Sequence, residues 1–537
     1  MRKACFHGCS FLRDPPQDDP FPSPTALFRS DFAVSAASSL HQPNPAFTNH
    51  ESLPSLQESF TNFAGAFPQF LETERADLIR DRHYRHLSSA KHVCLDYSTG
   101  HGLFSYSQVM GGGTPGGTRT AFFDVSYKPV NLGALLTGGG PESELDSTTR
   151  KRIMRFMNLS EDDYAMVFAS NQSAAFRIVA DSYPFRSNRS LLTAYDHENE
   201  AVDSMIEISR KRGAKTKSAE FSWPNLSIRS SRLKNMIVGK SSRKSRKKGL
   251  FVFPLQSRVS GSRYSYSWMG MARENGWHVL LDACALGPKD METLGLSLFK
   301  PDFLICSFYK VFGDNPTGFA CLFVKRSSVQ ILQCSSDHRV GIASLVPFQE
   351  ERHEEEEKIE FRALNHADEV GLITINYRGR CLINWLVNAL LCLRHPDHTE
   401  EYSHPLVKIY GPKVTFERGP AVAFNVFDWK NDRVDPRLVQ KLADRFSITL
   451  SYGFLRHVWF SDGEYGPEFE EREVVEEEES GGGGGSGICV VTAAVGFLTN
   501  FEDVYRAWAF VSRFLDADFV ENERWRYTAL NQQMIEM

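Results

Sequence analysis

Between residues 303 and 313 the chain reads Phe-Leu-Ile-Cys-Ser-Phe-Tyr-Lys-Val-Phe-Gly. Its apolar first half predicts a buried strand over Phe303–Ser307, which is followed by two aromatic residues and by Lys310. A lysine beside the end of a buried strand is costly to desolvate, so its amine is expected to have a chemical task. A second apolar run, Val-Leu-Leu-Asp at 279–282, ends in Asp282. The separation between Asp282 and Lys310 fits one strand–helix–strand step, which would bring the two side chains near each other.

An aspartate and a lysine at neighbouring strand ends suit the cofactor pyridoxal phosphate. Lys310 is the predicted attachment point, since an amine attacks the cofactor aldehyde when neutral and burial beside a cationic ring favours the neutral form. Asp282 is the predicted partner of the pyridine nitrogen, which a carboxylate keeps protonated. A solvent-facing lysine at 310 and a turn or N-cap aspartate at 282 are the alternative interpretations.

Strands and helices alternate from about residue 143 to residue 324, which predicts an α/β domain with a mostly parallel sheet. In such sheets ligands bind outside the carboxyl ends of the strands, and the predicted cofactor residues lie there. The predicted strands are Ala165–Ser170, Ser190–Tyr195, Leu250–Leu255, Val279–Asp282, Phe303–Ser307 and Gly318–Val324.

The turn after the first of these strands is the predicted phosphate site. It reads Ser-Asn-Gln-Ser at 170–173 and opens a predicted helix, whose first backbone N–H groups would face an anion. Gln172 and Ser173 are the predicted phosphate contacts, and a plain helix cap is the alternative for Ser173. Gln256, which follows the strand Leu250–Leu255, is a further candidate for a contact with the cofactor ring or its phenolic oxygen.

The lysine segment also carries a family resemblance. The sequence resembles the cofactor-lysine segment of molybdenum cofactor sulfurases at Ser307-Phe308-Tyr309-Lys310, Phe312-Gly313 and Pro316-Thr317-Gly318. These proteins are class V, fold-type-I pyridoxal phosphate enzymes related to cysteine desulfurases. Further matches are Arg418-Gly419-Pro420, Phe424-Asn425-Val426 and Leu450-Ser451-Tyr452-Gly453. The most similar subgroup is a plant set of sulfurase-like proteins that lack the C-terminal molybdopterin-binding region.

The resemblance implies a fold-type-I transferase, with a large domain around a mostly parallel seven-stranded sheet and a smaller α+β domain. It also implies that Ser307 contacts the cofactor phosphate, and that Asn199 stands where relatives place the histidine that stacks on the cofactor ring. His197 lies two residues earlier and is the alternative for that contact. Because relatives form dimers, a homodimer is expected.

One group that sulfurase chemistry requires is missing from its place in the sequence. Desulfurases carry a mobile cysteine whose thiolate attacks the substrate sulfur. The corresponding segment here, residues 450–457, reads Leu-Ser-Tyr-Gly-Phe-Leu-Arg-His. The only later cysteine in the sequence is Cys489, inside an apolar run that favours a buried, inert thiol. The sequence therefore predicts that the persulfide-forming cysteine is lost.

The chain of 537 residues is too long for one simple core and divides into four predicted parts. Residues 1–58 are predicted to be a disordered tail, 59–130 the N-terminal part of the smaller domain, 131–394 the large cofactor-binding domain and 395–537 the C-terminal smaller domain. A basic insert at 240–248 and an acidic, glycine-rich insert at 468–487 are predicted to be surface loops.

The composition narrows the classes of function. Hydrophobic residues make up 42% of the chain and charged residues 24%, with a net charge of −5, which fits a globular protein and argues against nucleic-acid binding. No apolar run predicts a membrane span, and no secretory signal is expected. Ten scattered cysteines without a CxxC pair indicate a reducing compartment, so a cytoplasmic location is expected.

The preferred hypothesis is an enzyme that uses pyridoxal phosphate on a small amino acid such as cysteine, in a C–S lyase-type reaction. A non-catalytic scaffold that keeps the fold is the second hypothesis, and a nuclear adaptor that uses the basic insert is the third. Arg378 and Arg380 are candidates for binding a substrate carboxylate, with positions on a helix surface as the alternative.

Overall fold

The structure is a computed structural model that describes most of the chain. Lys310 and Tyr309 lie outside the described residues, as do the basic insert apart from Lys248 and the acidic insert apart from Gly487. The described residues are 46–84, 87, 92–97, 123–140, 142–239, 248–284, 299–308, 319–333, 339–347, 361–396, 404–412, 418–460 and 487–535.

Helices and strands alternate through the middle of the chain, as the sequence predicts. The helices are α1 (Leu56–Ala66), α2 (Glu74–His83), α3 (Leu132–Gly138), α4 (Glu144–Phe156), α5 (Gln172–Ser182), α6 (Glu200–Lys211), α7 (Ser230–Val238), α8 (Ser267–Glu274), α9 (Val329–Gln333), α10 (Arg362–Val370), α11 (Leu372–Leu391), α12 (Pro436–Arg445), α13 (Phe501–Ser512) and α14 (Ala517–Ile535). The strands are β1 (Val93–Cys94), β2 (Phe123–Val130), β3 (Tyr164–Ala169), β4 (Ser190–Thr193), β5 (Lys215–Ser218), β6 (Phe221–Ser222), β7 (Ser227–Ile228), β8 (Gly249–Pro254), β9 (Trp277–Asp282), β10 (Phe303–Ser307), β11 (Ala320–Lys325), β12 (Val340–Pro347), β13 (Val407–Tyr410), β14 (Ala421–Val426), β15 (Ile448–Thr449), β16 (Ser451–Leu455), β17 (Val458–Trp459) and β18 (Ile488–Ala494).

A seven-stranded sheet forms the centre of the large domain. Its strand order is β3-β11-β10-β9-β8-β4-β5, and each neighbouring pair is parallel except the two that include β11. The predicted mostly parallel sheet of seven strands is therefore confirmed. The parallel strands place their carboxyl ends at one edge of the sheet, where the candidate residues gather.

Helices cover both faces of this sheet, which explains its sequence pattern. Along β9 the side chains of Val279 and Leu281 pack into one apolar cluster and that of Leu280 packs into another. Since both faces are buried, the central strands are apolar throughout instead of alternating with polar residues. Such continuous runs are easily recognised in the sequence, and the predicted strand Phe303–Ser307 matches β10 at both ends.

The smaller domain is built on a four-stranded antiparallel sheet with the order β13-β14-β18-β16. One face of this sheet carries Val422, Phe424 and Val491, which pack with residues of α11, α12 and α13 in a separate apolar cluster. The opposite face carries Ala423 and Val490, which belong to the apolar cluster of the large domain. The smaller domain is therefore joined to the large one by a continuous apolar contact.

The N-terminal segment folds onto the smaller domain earlier in the chain than the sequence predicts. A 3₁₀ turn covers His50–Ser52 and helix α1 begins at Leu56, although residues 1–58 are predicted to be a disordered tail. Phe47 packs edge-on against Trp508, with ring centroids 5.5 Å apart, and this burial holds the segment in place. The rest of the predicted tail, residues 1–45, lies outside the described part of the chain.

A two-stranded antiparallel ribbon of β2 and β12, which the sequence does not predict, lies beside the large sheet. Val125 of β2 and Leu345 of β12 contact the same apolar cluster as Phe168 of β3. Strand β2 therefore packs with the large domain, whereas the sequence assigns residues 59–130 to the smaller one. None of the helices in the described ranges is long and apolar enough to cross a membrane.

Candidate functional site

The carboxyl ends of the parallel strands bring most of the predicted cofactor residues to one edge of the large sheet. Asp282 closes β9, between Pro254 of β8 and Ile305 of β10 in the pairing register. The backbone N–H of Leu255 donates to the Asp282 carbonyl oxygen, at 2.9 Å. Ser307 is the last residue of the neighbouring strand β10. We define the candidate site as this edge with the residues that immediately follow β3, β4, β8, β9 and β10.

Asp282 is buried and receives three hydrogen bonds. Its Oδ2 accepts from Gln172 Nε2, at 3.0 Å, and from the Tyr195 hydroxyl, at 2.9 Å. Its Oδ1 accepts from the backbone N–H of Cys284, at 2.9 Å. Burial raises the pKa of Tyr195 well above its ordinary value, and the neighbouring Asp282 raises it further, so this hydroxyl keeps its proton and donates it. Only its place at the end of the predicted strand Ser190–Tyr195 marks Tyr195 in the sequence.

The predicted phosphate turn has the expected backbone shape. Asn171 is the N-cap of α5, and its Oδ1 accepts from the backbone N–H of Ala174, at 2.8 Å. Gln172 and Ser173 are the first two helical residues, whose N–H groups have no carbonyl partner within an α-helix. The side-chain amide of Gln172 donates its hydrogen bond to Asp282. A phosphate contact by Gln172 would therefore come from its backbone N–H instead of its amide side chain.

Asn199 has a structural task at the start of α6. It is buried, and its Oδ1 accepts from the backbone N–H of Ala201, at 3.1 Å, so its amide oxygen caps the helix. The predicted contact of Asn199 with the cofactor ring stays a prediction. His197, the alternative, is buried two residues earlier, and its ring centroid lies 5.9 Å from that of Tyr195.

Asp196 forms a second buried carboxylate centre next to Tyr195. Its Oδ1 accepts from Ser257 Oγ and lies against His197 Nδ1, both at 2.7 Å, and its Oδ2 accepts from Ser260 Oγ at 2.6 Å. Burial alone would raise the pKa of Asp196, but the hydrogen bond and charge of His197 and the two serine hydroxyls lower it below its ordinary value. The opposite ring nitrogen, His197 Nε2, is buried and has no partner in the described structure.

Gln256 lies two residues after β8, close to where the sequence predicts, and it contacts the smaller domain. Its Oε1 accepts from Arg263 Nε, at 3.2 Å. A Cβ atom at Gly419 would lie 2.1 Å from the same oxygen, so only a glycine fits there without moving Gln256. The segment Arg418-Gly419-Pro420 therefore closes over the end of β8.

Two other sequence candidates do not join this site. Arg378 is fully buried in α11 and donates to Thr499 O at 2.9 Å, Thr73 Oγ1 at 2.8 Å and Asp77 Oδ2 at 2.9 Å. These partners occupy the guanidinium, so the structure does not support the predicted contact of Arg378 with a substrate carboxylate. Cys489 is buried in β18, as predicted for a core thiol. Lys310 is the one predicted site residue that lies outside the described residues.

Comparisons with known proteins place the chain among its relatives. No protein-family model matches the sequence. It is 24% identical over 451 residues to the molybdenum cofactor sulfurase of Solanum lycopersicum, covering 75% of this chain and 52% of that protein. It is 27% identical over 354 residues to the molybdenum cofactor sulfurase of Bos taurus, covering 58% of this chain and 39% of that protein. The chain resembles molybdenum cofactor sulfurases. It spans about half, or less, of the length of these relatives.

A solved structure confirms the fold class. The apo cysteine desulfurase from Thermococcus onnurineus NA1 superposes with a TM-score of 0.52 at 14% identity, covering 82% of this chain and 98% of that one. The sulfurase-like chain thus has the predicted fold-type-I architecture. The predicted resemblance to molybdenum cofactor sulfurases is confirmed by the sequence comparisons.

Proposed function

We propose that this sulfurase-like chain binds pyridoxal phosphate at the candidate site and acts on an amino acid such as cysteine, in a C–S lyase-type reaction. The sequence similarity to molybdenum cofactor sulfurases and the fold shared with a cysteine desulfurase support the proposal. The observation that carries it is the buried Asp282 carboxylate at a strand end, beside a helix start and next to strand β10, which leads towards Lys310.

The donors described around Asp282 leave one of its lone pairs for the cofactor. A carboxylate offers about four lone-pair positions, and the described residues use three of them. The remaining position can hold the pyridine N–H, and Tyr195 and Gln172 then fix the orientation of the carboxylate. When bound, the cofactor withdraws electrons from the substrate carbon, and a charged Asp282 sustains this by keeping the ring nitrogen protonated.

The start of α5 suits the cofactor phosphate. The backbone N–H groups of Gln172 and Ser173 and the positive end of the helix favour an anion. Ser173 is a half-buried residue at this turn, and Ser307 ends a strand of the same sheet. We assign these groups to the phosphate, and Lys310 to the covalent attachment, as the sequence predicts.

His197 and Asp196 are suited to holding a proton near the site. If His197 Nδ1 donates to Asp196, then Nε2 carries the lone pair and can accept a proton. The His197 backbone pairs with Leu455 of β16, so the imidazole lies where the smaller domain meets the large one. We propose that this dyad serves the substrate side of the site.

The predicted amino-acid substrate, homodimer and cytoplasmic location also stay predictions.

A non-catalytic scaffold is the second candidate, and two observations favour it. The Asn199 amide caps a helix instead of lying free, and the segment 450–457 has no cysteine. Without a persulfide-forming thiol, this chain would release sulfur from its substrate directly or would not turn over at all. Turnover measurements separate these two cases.

The test is the absorption spectrum of the purified protein after incubation with pyridoxal phosphate, compared with Lys310→Ala and Asp282→Asn. We expect a visible band that is lost in Lys310→Ala, and borohydride reduction should add the cofactor mass to the peptide that contains Lys310. Sulfide release from cysteine would support the enzyme, whereas retained cofactor without turnover of any amino acid would support the scaffold. Equal spectra for the wild type and Lys310→Ala would contradict the proposed function.

A further inference from the structure

A short segment of the smaller domain, residues 454–460, lies across the large domain, and we call it the strap. Its first two residues are the last two of β16, which pairs with β18 inside the smaller domain. The N–H of Glu198 donates to Phe454 O at 2.8 Å, and the N–H of Arg456 donates to Asp196 O, also at 2.8 Å. The first half of the strap is therefore attached to the connection between β4 and α6, which belongs to the candidate site.

The second half of the strap is attached to another part of the large domain. Strand β17 runs parallel to β6, and β6 pairs in turn with β7. The N–H of Phe221 donates to His457 O at 2.9 Å, and the N–H of Trp223 donates to Trp459 O at 3.0 Å. One continuous segment thus joins the sheet of the smaller domain to two separate segments of the large domain.

Charged side chains hold the strap at its middle and near its end. Arg456 Nη2 lies 2.7 Å from Glu198 Oε1, and its Nη1 lies 3.1 Å from Asp203 Oδ2. The Arg456 side chain is 25% exposed, so solvent screens these ion pairs less than it screens fully exposed ones. Near the end of the strap, the Arg229 guanidinium lies over the Trp459 ring, 3.7 Å from its centroid, in a cation–π contact.

The backbone at His457 indicates that these contacts determine the shape of the strap. Its φ is +58°, a left-handed conformation that is uncommon for residues other than glycine, asparagine and aspartate. Such a conformation persists where the surrounding structure fixes it. The hydrogen bonds of the Arg456 N–H and of His457 O, one on each side of this φ angle, tie the corner to the large domain.

We propose that the strap locks the two domains together and that Arg456 is a positioning residue, which holds the connection between β4 and α6 from the other domain. The inference goes beyond the function proposed above, since it concerns the protein with or without cofactor. It has a consequence for the candidate site, because a locked strap keeps Asp196 and His197 in one arrangement. Reactants then enter and leave while residues 454–460 stay in place.

Hydrogen exchange measured by mass spectrometry tests the lock in peptides that cover residues 196–203, 219–223 and 454–460. In the wild type we expect slow exchange in all three, unchanged by pyridoxal phosphate and cysteine. Arg456→Met should speed exchange by about tenfold in 454–460 and in 196–203 together, because both lose the same ion pairs. Arg456→Lys should recover part of the protection, since it keeps the charge.

Arg152→Met is the matched control. Arg152 Nη2 also donates to two side chains, Asn365 Oδ1 at 2.9 Å and Asp368 Oδ2 at 2.8 Å, and none of these residues belongs to the strap or to the segments it contacts. The control should therefore leave exchange in the three peptides as it is in the wild type.

The outcomes separate the lock from the proposed function. If cofactor or cysteine speeds exchange in residues 454–460 of the wild type, or if Arg456→Met exchanges like the wild type, the lock is overturned. Should Arg456→Met fail to fold, the double variant Glu198→Gln, Asp203→Asn decides, since it removes both ion pairs from the large-domain side and should speed exchange in the same two peptides. Failure of the proposed function would appear separately, as a spectrum without the cofactor band, and the Arg456 comparison would still decide the lock.

Discussion

Two carboxylates, Asp282 and Asp196, are buried in the candidate site, and their donors suit them to different tasks. Asp282 accepts from an amide, a phenol and a backbone N–H, none of which can carry a positive charge at neutral pH. Asp196 accepts from two serines and lies against the imidazole of His197. Asp282 is therefore suited to hold a cation that comes from outside the chain, whereas Asp196 already has a basic side chain of the chain beside it.

The hydrogen bonds to Asp196 predict a pH-dependent stability. Because the pKa of Asp196 is lower in the folded chain than its ordinary value of 3.8, this carboxylate stabilises the fold above about pH 4. The stabilisation is lost as the pH falls through the folded-state pKa. Asp196→Asn should therefore lower the free energy of unfolding by about 1–3 kcal/mol at neutral pH, and the difference from the wild type should shrink below about pH 4.

Urea unfolding followed by fluorescence at several pH values measures this difference. Ser257→Ala is the matched comparison, because it keeps the carboxylate and removes one of its donors. Its loss at neutral pH should lie between zero and that of Asp196→Asn. A deficit of Asp196→Asn that stays constant from neutral pH to the acid limb would show that the charge of Asp196 does not stabilise the fold.

At the scale of elements, the sequence predicts the strands of the large sheet well and the contacts between elements poorly. Strands such as β9 and β10 are apolar on both faces, so each appears in the sequence as a continuous apolar run. Asp282 and Ser307 are the polar residues that end these runs, and the sequence therefore predicts them as site residues. The hydrogen bond from Tyr195 to Asp282 joins a residue just after β4 to the last residue of β9. Strand β8 lies between these two strands, and only the order of strands in the sheet brings the residues together. No local pattern contains that order.

The sequence analysis also misses the helix cap at Asn199 and the β2–β12 ribbon. Asn199 is selected by resemblance as a ring contact, but an asparagine directly before a helix is also a preferred N-cap, and the structure shows the cap. The β2–β12 ribbon joins segments far apart in the chain, and its exposed face, which includes Tyr127, blurs the alternation that would mark a strand.

A close backbone contact between the two domains depends on Gly261. Gly261 has a φ of +71°, and a Cβ atom there would lie 2.3 Å from the carbonyl oxygen of Ala421, the first residue of β14. Gly261→Ala should therefore lower the free energy of unfolding by about 1–2 kcal/mol, because alanine disfavours the left-handed backbone conformation. The added methyl group should also push the loop 256–263 away from the smaller domain. Gly213→Ala is the matched control, because Gly213 has a φ of +86° and no atom within 4 Å of its added Cβ.

Chemical denaturation and hydrogen exchange test this expectation together. Gly213→Ala should show only the conformational cost, and Gly261→Ala should lose more stability and expose the N–H of Gly419, which donates to Gly261 O. Equal losses in the two variants would mean that the domain contact yields to the extra methyl group without cost.

At the scale of the whole molecule, the two ends of the described chain stabilise each other. Helix α1 and the 3₁₀ turn Pro68–Thr73 pack Phe63 and Phe70 against the smaller domain, with the rings of Phe63 and Phe501 stacked at 4.6 Å. Arg80 of α2 forms a buried ion pair with Asp503 of α13 and also donates to Leu498 O at 2.8 Å. The N-terminal helices therefore belong to the fold of the smaller domain and do not form an appendage to it.

Breaking that ion pair from one side should loosen this arrangement without reaching the candidate site. Arg80→Met leaves Asp503 buried without its counter-charge, so we expect a loss of about 3–5 kcal/mol in the free energy of unfolding and early protease cleavage between residues 56 and 83. The exposed pair of Arg75 with Glu369 supplies the control, since Arg75→Met should cost only about 0–1 kcal/mol. The double variant Arg80→Met, Asp503→Leu should recover much of the loss, because both charges are gone. Cofactor uptake should be unchanged in these variants, because Arg80 lies on the side of the smaller domain that packs with the N-terminal helices. If stability and cofactor uptake fell together, the Arg80–Asp503 pair would not be independent of the candidate site.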